Sequence, residues 1–401
     1  MNFQTSKKTV NLSQEIWPMV KQYYAWAKGQ QKAGKKVVWT VGLGPNELLH
    51  AFGLVPIFLE QYSIVMAGRH QVVKYLEMAE NVGFSRDSCS YNRALIGYAM
   101  EPDGLLISKP DFVMATATPC DSSNKSFLNL VNRLGVPHYH LDVPFNRMTG
   151  GEVETHQLNY VENQLMELVS FLERETGFPL VEEKLYEVVE LANRADELWT
   201  KINELRKAIP FPMTVADEMV LAYPLFQLPG TKQAVEFYER LLEEVSERVR
   251  KGEGAIPQER YRILWLGPAA WYHLRLLNYV EDYGGVLVKS DFDYLIRGKI
   301  SPENPLRGMA EKTILGLLNG VVENRIQLAR RFVREYGIHG VIAFSHFGCR
   351  QYGGGQRAVK DALFEEFGIP TLILEGDNID ERNYADDQVR SRIEDFISLM
   401  M

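Results

Sequence analysis

VIAFSHFGCRQYGGGQRAVKDALFEEFGIPTLILEGD, residues Val341 to Asp377, decides the fold. It opens on a short, partly β-branched apolar run, Val341 to Phe344, the pattern of a buried parallel strand. The run breaks at Ser345-His346-Phe347-Gly348, presents Cys349, and passes Gly353-Gly354-Gly355 into a helical pattern ending at Gly368. Pro370 admits a second apolar run, Thr371 to Leu374. This is a strand–helix–strand unit with a cysteine at the carboxyl end of its first strand, the edge where open α/β sheets bind ligands.

The unit has an echo upstream. VMATATPC (Val113 to Cys120), a helix, Leu134-Gly135-Val136-Pro137 and a strand ending at Leu141-Asp142 repeat its strand, cysteine, helix, Gly-x-Pro and strand. A second echo pairs VVWTVGLGP (Val37 to Pro45) with RILWLGP (Arg262 to Pro268). The spacing predicts helices over 12–33 (Ile16, Val20, Tyr23, Tyr24 and Trp26 inward), from Asn46 as its cap, 70–82, 122–134, about 309–336 and 386–400. Strands are predicted over 36–41, 54–59, 105–108, 112–118, 137–143, 262–266 and 286–288. Residues 153–252 are Glu-, Leu- and Lys-rich with helical period. The expected fold is therefore α/β: two similar lobes with mainly parallel, Rossmann-like sheets facing a shared cleft and joined by a helical segment. The expected division is 1–152, N-terminal lobe with a leading helix; 153–255, helical connection; 256–401, C-terminal lobe.

Composition narrows the function. The chain has 401 residues, 46% hydrophobic and 24% charged, as in ordinary globular proteins. A formal charge of −8 argues against nucleic acid as the main partner. No apolar run is long enough to span a bilayer, and the first residues lack the apolar core of a signal peptide, so a cytoplasmic protein is expected.

Cysteine is the informative residue. Cys89, Cys120 and Cys349 are far apart and odd in number, unlike a disulfide framework. Isolated thiols are commonly just small buried hydrophobes. Here, however, none lies within an apolar run and each stands at a predicted helix start, where free N–H groups favour thiolate. Three converging thiolates suit zinc with a water, or a 4Fe–4S cluster with one iron open.

Trp39-Thr40, Gly44-Pro45-Asn46-Glu47-Leu48-Leu49, Phe84-Ser85, Asp87-Ser88-Cys89-Ser90-Tyr91, Pro119-Cys120-Asp121, Phe347-Gly348-Cys349 and Glu375-Gly376-Asp377 with Asp380 and Arg382-Asn383-Tyr384 together resemble the 2-hydroxyacyl-CoA dehydratase and benzoyl-CoA reductase family. The likeness runs from about residue 35 to the C-terminus, and Trp39-Thr40 and the Cys89 loop look more like its α-type subunit. The resemblance implies one 4Fe–4S cluster per chain, held between the lobes on Cys89, Cys120 and Cys349 with one iron site open or exchangeable. It also implies a related second subunit in a heterodimer and a separate ATP-hydrolysing iron–sulfur activator that injects one electron. The implied reaction removes water from a 2-hydroxyacyl-CoA. One electron on the thioester carbonyl gives a ketyl radical anion that expels the neighbouring hydroxyl, and the electron returns once water has left. The alternatives are reduction of an aromatic acyl-CoA, as in the reductase branch, and an electron-relay subunit without its own substrate site.

Other candidates are less marked. Glu60, at a strand end, is a candidate acid/base, against a solvated or capping carboxylate. His346 is a candidate donor to a cluster sulfide or substrate oxygen, against a histidine satisfied within its loop. Thr40, Gly42 and Gly44 are candidate substrate contacts, against a tight turn after a strand. Gly353 to Gly355 lack the spacing of a nucleotide loop. Asp377, Asp380 and Arg382 read as a structural ion pair and helix cap.

Overall fold

The computed structural model describes residues 7–400. Its strands are β1 (Val37–Val41), β2 (Val55–Phe58), β3 (Phe112–Thr116), β4 (His138–Leu141), β5 (Tyr261–Leu266), β6 (Gly285–Ser290), β7 (Gly340–His346) and β8 (Thr371–Gly376). They form two four-stranded sheets of the same permutation, β2-β1-β3-β4 and β6-β5-β7-β8. Every pairing is parallel. In each sheet the chain leaves the first strand one way and returns on its other side. The carboxyl ends of β1 and β3, and of β5 and β7, therefore flank a topological switch point, the crevice such sheets use for ligands.

The two lobes are alike down to the tryptophan of the central strand. Trp39 and Trp265 are fully buried. Trp39 Nε1 donates to Ser108 O at 2.8 Å and Trp265 Nε1 to Gly267 O at 2.9 Å. Helices Thr155–Thr176, Glu182–Leu205 and Lys232–Lys251 lie between β4 and β5, and Trp199 of the second joins Trp39, Trp265 and Phe344 in one continuous core. The lobes thus share packing through the helical stretch.

Several expected elements differ, each for a local reason. The stretch expected as a strand over 105–108 is irregular: Leu106 N donates to Tyr62 Oη and Ser108 O accepts from Trp39, so side chains take the bonds a ladder would use. The single helix expected over 309–336 is two, Pro305–Ile314 and Val322–Tyr336. Asn319 separates them, donating its side-chain amide to Ile314 O and Pro144 O. Asn46 does not cap its helix; Pro45 is the capping position, and the Asn46 amide reaches Phe226 O at 3.4 Å. Glu60 belongs not to a strand end but to the first turn of Leu59–Gly68, a helix buried on several sides and so without amphipathic period. In the leading helix Ala27 is buried in place of Trp26, which is 44% exposed.

Candidate functional site at the strand ends

All three cysteines are N-cap residues, of helices Ser90–Met100, Asp121–Leu134 and Arg350–Gly353. None is in a disulfide. The loop after β7 packs directly on the Cys89 backbone. A Cβ on Gly348 would lie 2.8 Å from Cys89 Cα and 3.1 Å from its N, so only glycine allows the approach. Burial pushes the Cys89 thiol well up, and the neighbouring Cys349 and Cys120 sulfurs add to the rise. Burial raises Cys349 too, with Cys120 contributing, against the N–H groups of Tyr352 and Gln351 that point at its sulfur. At Cys89 and Cys349 the expected lowering at a helix N-terminus is therefore outweighed by burial and repulsion between like charges. That repulsion is what a bound cationic centre relieves. Among the described residues no three His, Cys, Asp or Glu side chains are grouped to hold a single metal ion.

His346 stands behind Cys89. Its Nε2 is 3.6 Å from Cys89 Sγ, and its buried Nδ1 has no hydrogen-bond partner, facing Asp377 Oδ2 at 3.6 Å. Asp377 Oδ1 accepts from Ser90 Oγ at 2.6 Å and from Ile379 N and Asp380 N at 2.9 Å each. Arg93, 1% exposed, pairs with Glu80 and with Asp380 at 3.3 Å, and Arg382 binds Asp380 at 2.7 Å. The polar knot read after the last strand is present, and it reaches further than its own loop. It ties the helix that starts at Cys89 to the loop after β8.

On the first lobe, Glu60 Oε1 accepts the Gly42 N–H at 2.8 Å while buried Oε2 has no hydrogen-bond partner. Burial pushes its carboxyl up to about 7. Thr40 and Thr116 also bury unpartnered hydroxyls. Gly42, at φ +75°, is required by the protein itself: a Cβ there would meet Thr116 O and Thr118 O at 2.6 Å each. The second lobe repeats the device. Gly267, at φ +102°, donates its N–H to Asp291 Oδ1 at 2.8 Å, and burial raises that carboxyl to about 6. Asp291 escaped the sequence reading, although VPIFLE and VLVKSD each put an acid just past the second strand of the echo.

Residues 43–400 match the family model described as 2-hydroxyglutaryl-CoA dehydratase, D-component. The chain belongs to that family. Among curated relatives it is 26% identical to one of the subunits of the benzoyl-CoA reductase of Thauera aromatica, over 95% of this chain and 93% of that one. It is 25% identical to the (R)-phenyllactyl-CoA dehydratase alpha subunit of Clostridium sporogenes, over 92% and 91%. Identity to the (R)-2-hydroxyisocaproyl-CoA dehydratase alpha subunit of Clostridioides difficile is also 25%, over 95% and 94%. The D-component match takes in seven of the eight strands, all but β1, and all three cysteines.

The residues fit an iron–sulfur group by the chemistry of their donors. Three free thiols cap three helices, lie within one another's field, and receive backbone N–H groups at Cys89 and Cys349. No helix among the described residues is long and apolar enough to cross a membrane.

Proposed function

We propose that this chain is a catalytic subunit of an iron–sulfur 2-hydroxyacyl-CoA dehydratase, removing water to give the 2-enoyl-CoA. The mutual influence of the Cys89, Cys120 and Cys349 sulfurs at three helix N-termini, within a chain of the D-component family, supports the reading. Cys89, Cys120 and Cys349 would hold one 4Fe–4S cluster with one iron left open. When bound, such a group supplies a Lewis-acidic site for the thioester carbonyl and a one-electron donor.

The chain's own residues supply the rest. Glu60, held by Gly42 N–H and raised to about 7, is the candidate acid/base, able to carry or accept a proton near neutral pH. His346 presents Nε2 to Cys89 and fixes that side of the site. Thr40, with its buried unpartnered hydroxyl, and Gly42, which holds Glu60, are the candidate substrate contacts. A related second subunit and an ATP-dependent iron–sulfur activator complete the system. The alpha-subunit names of several relatives favour a multisubunit assembly.

Anaerobic reconstitution tests the reading: about four irons per chain with a brown absorption band is expected, and a chain that stays colourless sinks it. Elemental analysis of the same sample separates iron from zinc. Adding activator, ATP and acyl-CoA then separates water loss from ring reduction. Perturbation of the cluster spectrum by acyl-CoA alone separates a substrate site from an electron relay.

Glu60 has its own signature. A carboxyl raised on folding binds its proton more tightly in the native chain than in the unfolded one. Its contribution is most favourable below the ordinary carboxylate range of about 4.3 and is lost as pH rises to about 7. Glu60→Gln keeps an oxygen for Gly42 N–H and removes that loss. The variant is expected to melt higher than wild type at pH 8 but not at pH 5, and to lose about a hundredfold or more in turnover. Equal melting differences at both pH values would show that Glu60 is not held protonated by burial.

A further inference from the structure

A cleft with an empty volume of ≈ 570 Å³, counting the part open to solvent, lies where the first lobe, the helical stretch and the second lobe meet. Its inner end is bounded by Gly42, whose N–H holds Glu60, and by Thr118, two residues before Cys120. Its lining mixes polar and apolar groups, the apolar ones coming from all three parts: Phe58 from the first lobe, Phe226 from the helical stretch, and Leu295, Ile296 and Met309 from the second lobe's sequence.

Charge in the cleft is confined to one pair. Lys312 Nζ donates to Glu47 Oε1 at 2.7 Å, with side-chain exposures of 20% and 4%. In the adjoining cavity Arg297 is likewise held by Asp196, at 2.9 and 3.2 Å. Neither cation is left over for a ligand carboxylate, and Glu47 would oppose one. An ionised group entering here would give up water without gaining a partner, whereas an apolar chain loses nothing.

We propose that this cleft receives the acyl part of the acyl-CoA and selects uncharged branched or aromatic acyl chains over chains ending in a carboxylate. The inference rests on the dehydratase reading above and adds the substrate class to it. Gly316 gives a means of testing it. It lines the cleft, and a Cβ there meets nothing nearer than Thr313 O at 3.4 Å, so a larger side chain grows into the cavity without displacing backbone.

The test is the affinity of the reconstituted full-length chain for 2-hydroxyisocaproyl-CoA, 2-hydroxyglutaryl-CoA and free CoA. The branched acyl-CoA is expected to bind at least about tenfold more tightly than the dicarboxylic one. Gly316→Leu should weaken the branched ligand about tenfold and leave free CoA unchanged; Gly316→Ala, a smaller step, should do so less. Glu47→Gln frees Lys312 and should narrow or reverse the preference. Equal affinity for both acyl-CoAs, or Gly316→Leu binding the branched ligand as wild type does while iron content is normal, overturns the cleft assignment alone. If iron loads and no acyl-CoA binds, the substrate-site reading fails and takes this inference with it.

Discussion

Cys349→Ala is expected to abolish iron uptake, from about four irons per chain to fewer than one, while the iron-free chain melts within about 2 °C of wild type. Cys349 is the single thiol contributed from the second lobe. It sits in the loop between β7 and a one-turn helix, and losing one sulfur atom there removes little packing. Truncations at such positions cost under about 1 kcal/mol, a shift of a few degrees at most in a chain of this size. For a metal centre the same sulfur is one of three fixed points, and two remaining thiols on one lobe cannot close the site. Measuring iron and thermal melting on the same sample separates the effects. Full iron content in the variant would show that the lobes do not clamp a common centre. Loss of iron together with a collapse in melting temperature would show that Cys349 is a packing residue.

The switch-point architecture was legible because its signals are local. Each switch point turns on a glycine at positive φ, Gly42 just after β1 and Gly267 just after β5, and both stand within the stretches that echo one another. The cysteines were legible for the same reason: each falls between a pattern break and a helix start. Long-range satisfaction of polar groups was not legible. Nothing near Leu106 in sequence says that Tyr62 will take its N–H, and nothing near Asn46 says that its amide will reach Phe226 instead of capping. Burial on several faces erased the helical period of Leu59–Gly68 and so displaced Glu60 from strand to helix. Position alone also does not give the order of effects at Cys89 and Cys349. A helix terminus favours thiolate by about half a charge acting over one turn, and burial beside two other sulfurs exceeds that.

The helical stretch holds the second lobe through a charge cluster that no sequence pattern announces, and Glu218→Gln should reveal its weight. Glu218 Oε2 accepts from Arg206 at 2.6 Å; Oε1 accepts from Lys289 at 2.6 Å and Ser290 Oγ at 3.0 Å. Lys289 also reaches Asp293 Oδ1 at 2.8 Å, and Trp199 Nε1 donates to Asp293 Oδ2 at 2.8 Å. Arg206, Glu218 and Asp293 are fully buried and Lys289 is 1% exposed, so these two cations and two carboxylates share little water. The cluster is neutral as a whole, and amidation of Glu218 leaves one positive charge uncompensated in the core. Breaking a buried pair in this way costs about 3–5 kcal/mol, because the stranded ion keeps its desolvation penalty. By contrast Glu187→Ala, which removes the exposed partner of Lys184, should change stability by less than about 0.5 kcal/mol. Urea unfolding of the iron-free chain measures both. A Glu218→Gln loss below about 1 kcal/mol would mean that water or relaxation reaches the cluster. The tie between the helical stretch and β6 would then rest on Trp199 and its apolar neighbours instead of on charge.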